Sequence, residues 1–120
     1  MCIFFKRKKT GDPRPAAVGS DWDSGFRAGY PLWQRGEEQR KAGRYEVALA
    51  LYDQARKNGY VSPALYQSYA MTFRKLNRRD AEAAILTEGI QRLRELNGKI
   101  GSFDADIRDL TEQLKRASGA

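Results

Sequence analysis

The chain has 120 residues, 41% hydrophobic and 31% charged, with a net charge of +7, no histidine and one cysteine, Cys2. This composition describes one small soluble domain with room for one modest core, lacking the commonest general base and unable to close an internal disulfide or build a thiolate zinc site. No apolar run approaches membrane-spanning length. Ile3-Phe4-Phe5 is too short for a signal peptide and precedes the basic residues instead of following them, so a cytoplasmic setting is the expectation.

Residues 1–19 lack periodicity and carry Gly11, Pro13, Pro15 and Gly19, which predicts a flexible basic leader. Lys6, Arg7, Lys8, Lys9 and Arg14 stand there beside one acid, Asp12, so over half of the +7 belongs to this leader. Such an arm either stays solvated or touches anionic lipid or nucleic-acid phosphate. Structure is expected from Ser20, a capping residue with Asp23 three positions on. Trp22, Phe26 and Tyr30 then recur every fourth residue over 20–30, an aromatic segment suited to packing on a neighbouring core, although Gly25 and Gly29 weaken a helix there.

Pro31 suits the first turn of a new helix, which would carry Leu32, Trp33 and Gly36 and stop at Gly43. From Arg44 a second helix places Tyr45, Ala48, Leu49, Tyr52 and Ala55 on one face and ends at Asn58-Gly59. Ser62-Pro63 is an N-cap followed by proline at the first helical position, starting a third helix with Leu65, Tyr66, Tyr69, Ala70 and Phe73. After the turn Asn77-Arg78-Arg79, a fourth helix carries Ala81, Ala84, Ile85, Gly89 and Leu93 and ends near Asn97-Gly98.

The two hairpins repeat. Their turns, at Gly43 and Asn77, lie 34 residues apart, and the same shift carries Leu32 onto Tyr66, Gly36 onto Ala70, Tyr52 onto Leu86 and Ala55 onto Gly89. Large falls on large and small on small. A 34-residue helix–turn–helix period with small residues at close crossings resembles the tetratricopeptide-repeat family. Gly43-Arg44-Tyr45-Glu46-Val47-Ala48-Leu49, running on to Tyr52 and Ala55, looks like the family's turn and second helix. The resemblance covers about residues 30–96 and departs from the family at Gln39, at Glu82 in place of a small residue, and at Tyr60 and Arg94 in place of the closing proline. It implies an all-α fold: two antiparallel helical hairpins over 31–97 arranged as part of a superhelix.

Two units alone would each leave a face uncovered. Leu96, Ile100, Phe103, Ile107, Leu110 and Leu114 form a heptad stripe near the end of the chain. One long helix would make a homodimeric coiled coil. A break at Gly98–Ser102 would let residues 102–117 fold back as a capping helix, the favoured reading because glycines inside a helix cost about 1 kcal/mol each.

Candidate chemistry is sparse. Asp104-Ala105-Asp106 begins like a calcium loop, but Arg108 and Lys115 stand where further ligands belong, and acids at a helix start complement its dipole. Adjacent Glu37 and Glu38 point apart on a polar helix. No catalytic, cofactor or metal residue is nominated, and the expectation is a non-enzyme. The repeat shift stacks Trp33 beside Gln67, Glu37 beside Met71, Arg40 beside Arg74 and Lys41 beside Lys75. In the resembled family the first helices line a groove for extended peptides, which implies an interaction module or adaptor holding an acidic peptide or protein through Trp33, Arg40, Lys41, Gln67, Met71, Arg74 and Lys75. Against this stands simple complementation of helix C-termini by cations in the last turn. A nucleic-acid-associated or anionic-surface-associated protein is the second reading, since the leader and Arg40, Lys41, Arg74, Lys75, Arg78 and Arg79 could track phosphates.

Overall fold

The computed structural model describes residues 17–119, with side chains from residue 21; most of the basic leader, residues 1–16, lies outside the described residues. Five helices account for the described chain: α1 (Ala17–Lys41), α2 (Tyr45–Lys57), α3 (Pro63–Lys75), α4 (Arg79–Leu96) and α5 (Asp104–Ala117). The protein is all-helical over this span. No helix among the described residues is long and apolar enough to cross a membrane.

The largest departure from expectation is α1. Residues 17–19 are helical rather than leader, Ser20 lies inside the helix rather than at its start, and Pro31 sits mid-helix instead of opening a new one. Proline in a helix interior removes one hydrogen bond and crowds the carbonyl four residues back, at a cost of about 3 kcal/mol. Pro31 and Arg27, the residue whose carbonyl loses its donor, are both on the exposed side, where water can satisfy that group. Burial on the opposite side outweighs the loss. Trp22, Phe26, Tyr30 and Trp33 form a continuous ladder with ring centroids 5.3, 4.9 and 5.5 Å apart. The buried ring of Tyr60 packs edge-on to Phe26 at 5.6 Å, and Trp22 Nε1 donates to the Val61 carbonyl at 2.9 Å.

Gly25, Gly29 and Gly36 lie on the same face, where they let α2 and its exit approach the α1 backbone. A Cβ on Gly25 would run into the Gly59 carbonyl, one on Gly29 into Tyr60, and one on Gly36 would stand 2.6 Å from Tyr52 Cε1. The glycines expected to weaken a helix are the positions that make this helix pack. Residue 25 meets 59 while 36 meets 52, so α1 and α2 run antiparallel. Tyr66 against Gly89 and Arg74 against Glu82 show the same for α3 and α4.

The turns after α1 and α3 carry one bonding pattern at a spacing of 34. Gly43 (φ +82) donates to Arg40 O and Arg44 to Gln39 O; Asn77 (φ 57) donates to Arg74 O and Arg78 to Phe73 O. A left-handed residue closes each helix and satisfies its last carbonyls. Ser62 Oγ accepts the Leu65 N–H at 3.1 Å and caps α3.

A single core joins the helices: Leu49, Tyr52 and Ala55 from α2, Leu65, Tyr66, Tyr69 and Ala70 from α3, Ile85, Leu86, Ile90 and Leu93 from α4, and Leu110 and Ala117 from α5. Ala84, expected on the inner face of α4, is exposed, and Glu82 is buried. Between α4 and α5, Asn97 closes the connection, accepting the Phe103 N–H at 2.7 Å and donating to Asp104 at 2.8 Å. α5 folds back along α4. Phe103, Ile107 and Leu114 pack against the core around buried Leu110, so the heptad stripe is used within the monomer.

Candidate interaction face

The residues singled out for partner binding lie on α1 and α3, which touch along one side of the molecule. Trp33 Nε1 donates to Ser68 Oγ at 3.1 Å, and Arg40 Nη1 approaches Met71 Sδ at 3.3 Å. Trp33 therefore sits beside Ser68, next to the expected Gln67, and Arg40 reaches Met71 rather than Arg74.

The four cations do not converge as free charges. Arg40 is held by Glu37 through two bonds, Nη2 to Oε1 at 2.7 Å and Nε to Oε2 at 3.3 Å, and Tyr52 Oη donates to the same carboxylate at 2.5 Å. Burial pushes the Glu37 carboxyl up, but hydrogen bonds from Arg40, Tyr52 and Ser68 prevail and hold it below its ordinary value. Burial, reinforced by the Glu37 charge, pushes the Tyr52 phenol up to about 12. Glu37 is thus held in its charged form by the side chains around it.

Arg74 is committed as well. Its Nε and Nη2 donate to Glu82 Oε2 at 3.0 and 2.8 Å, and Nη2 reaches Gln113 Oε1 at 3.3 Å. Gln113 in turn donates to Gln67 Oε1 at 2.7 Å, so α5 covers part of the face at Gln67. Lys41 and Lys75 remain exposed and make no ion pair among the described residues, and Met71 is 39% exposed. Arg78, counted among the phosphate-tracking cations, pairs with Glu46 of α2.

Beside Lys41 lies an open recess of about 370 Å³ whose lining includes Tyr30 and Trp33, with Glu38 and Lys41. It offers aromatic surface next to one lysine and one uncommitted carboxylate, a setting for non-covalent contact. Among the described residues no group of three or more acids, cysteines or histidines could hold a metal ion. Asp104 and Asp106 occupy the first turn of α5.

The sequence places Glu37 beside Glu38 on a polar helix, and it does not show that Glu82 and Gln113 bond Arg74. The Glu37–Arg40 pair was available from its i, i+3 spacing. Glu82 stands out in sequence only as a departure from the small residue of the repeat, and nothing local marks Gln113; they reach Arg74 across a turn and from a separate helix. Comparison with protein-family models, with curated proteins and with solved structures finds no match to this chain.

Proposed function

We propose that this protein is a non-enzymatic interaction module, a small adaptor with tetratricopeptide-like hairpins, that binds a peptide or protein segment on the face formed by α1 and α3. The observation that carries this reading is the recess on α1 lined by Tyr30, Trp33, Glu38 and Lys41, with half-exposed Met71 of α3 in contact with Arg40 of α1. Aromatic and methionine surface gives area for an apolar side chain, and Lys41 and Lys75, neither in an ion pair among the described residues, supply positive charge for an acidic one, Lys41 beside the Glu38 carboxylate. Support for the repeat reading comes from the identical bonding of the turns at Gly43 and Asn77. Arg40 and Gln67 act behind the contact surface as fixed supports, since each is bonded within the protein, and half-exposed Arg74 is tied to Glu82.

The test is binding of acidic peptides that carry one aromatic or aliphatic anchor, read by Trp fluorescence and calorimetry. Lys41→Glu with Lys75→Glu should weaken binding about tenfold or more while leaving helicity unchanged. Equal affinity in the double variant removes this face from consideration. Binding that falls steeply with salt and shows no sequence preference among peptides or oligonucleotides would instead favour phosphate-driven association.

A further inference from the structure

On another part of the surface, the α3–α4 turn and the end of α5 enclose a recess of about 370 Å³ lined by Arg74, Asn77, Arg79, Glu82, Arg116 and Ala117. Three arginines and a single carboxylate, Glu82, line this one small volume. That leaves an excess of two positive charges.

Two of the three guanidinium groups, those of Arg74 and Arg79, are held in place. Buried Glu82 grips Arg74 through Nε and Nη2, which leaves Nη1 outside that pair. Arg79 Nη2 donates to the carbonyl of Arg116 at 3.0 Å, tying the start of α4 to the last turn of α5 and leaving its Nε and Nη1 outside that bond. Arg116 is exposed and has no ion pair among the described residues. Cations gathered at one point repel unless something between them is negative, and pre-organised guanidinium forks match the oxygens of phosphate.

We propose that this recess binds a phosphate monoester dianion, held by Arg79 and Arg116, with Arg74 fixed at its edge by Glu82. The excess of two charges matches the charge of about −1.5 to −2 that a phosphate monoester carries at neutral pH. Binding should tighten as pH rises through about 6, because the ligand then acquires its second charge.

The experiment uses the full chain, labelled for residue-resolved NMR and titrated at constant ionic strength with inorganic phosphate, O-phosphoserine, a phosphoserine peptide and acetate. Phosphate and phosphoserine should shift the amides of residues 77–82 and 116–118, more strongly at pH 7.5 than at pH 5. A peptide that binds more tightly than free phosphoserine identifies a phosphorylated protein as the source, and equal binding identifies a small phosphate ester. Arg79→Ala with Arg116→Ala, both at exposed positions, should weaken binding about tenfold or more, whereas Lys8→Ala with Lys9→Ala in the leader should leave these shifts intact. The proposal is overturned if phosphate shifts no amide in this region, if acetate does so as strongly, or if the arginine variant binds unchanged.

Discussion

Gly36 and Tyr52 meet so closely that a Cβ on the glycine would lie 2.6 Å from Tyr52 Cε1, and a Cβ on Gly89 would lie the same 2.6 Å from Tyr66 Cγ. In each hairpin a helix without a side chain at one point accepts a whole tyrosine ring from its neighbour. Both rings are buried.

Gly36→Ala and Gly89→Ala each set two effects in opposition. Alanine favours a helix interior over glycine by about 1 kcal/mol, whereas forcing a methyl group into a filled contact costs about 1–3 kcal/mol. The clash should win, because the obstructing atoms belong to the body of a ring and not to a flexible tip. Urea unfolding should show a net loss of stability for each variant. Stabilisation by about 1 kcal/mol would mean that the rings move aside.

The Glu37–Tyr52 bond makes stability depend on pH at both ends. Glu37 titrates below its ordinary 4.5 when folded, so its contribution is present above 4.5 and disappears as pH falls through the folded value. Tyr52 is raised from 10.0 to about 12, so its contribution is complete below 10 and lost as pH rises toward 12. Burial also raises Tyr66 and Tyr69, which extends the alkaline loss beyond Tyr52 alone. In Tyr52→Phe the Glu37 carboxyl should titrate closer to 4.5, followed by carbon NMR, and the acid loss of stability that it contributes should be smaller and complete at a higher pH. A Glu37 titration that Tyr52→Phe leaves in place would show that Arg40 alone sets it.

Glu82 is 4% exposed in its side chain and Arg74 is 53% exposed, so the pair is half-screened and yet guards a buried charge. Arg74→Met should cost about 2 kcal/mol, mostly from stranding the Glu82 carboxylate. Arg74→Met with Glu82→Leu should recover most of that loss. Denaturation of the two single variants and the double variant measures the coupling, and a single-variant cost below about 0.5 kcal/mol would place the pair with ordinary surface salt bridges.

The proposed partner face was only partly legible before the structure. Its helices and its exposed cations Lys41 and Lys75 follow from sequence spacing, and the repeat shift brought α1 and α3 together. Of the ion pairs, only Glu37–Arg40 follows from spacing. Arg40 and Arg74 look alike in sequence, each in the last turn of its helix, but Arg40 is neutralised three residues away on its own helix, whereas Arg74 is neutralised by α4 and touched by α5.

By itself the sequence determined the all-helical class and the positions of several helix ends. Ser62-Pro63 starts α3 and a left-handed Asn77 closes it, because capping and turn chemistry act within a few residues and meet little competition. Only tertiary structure decided that α1 runs unbroken through Gly25, Gly29 and Pro31. Those residues carry local penalties of about 1–3 kcal/mol each, and local signals alone favour a break. The penalties are outweighed once four aromatic rings stack along α1 and Tyr60 packs against that ladder, a gain that exists only when α2 and its exit come within reach. The same reason governs the charged residues: a side chain's partner is set by which helices meet, and that is a property of the packed core.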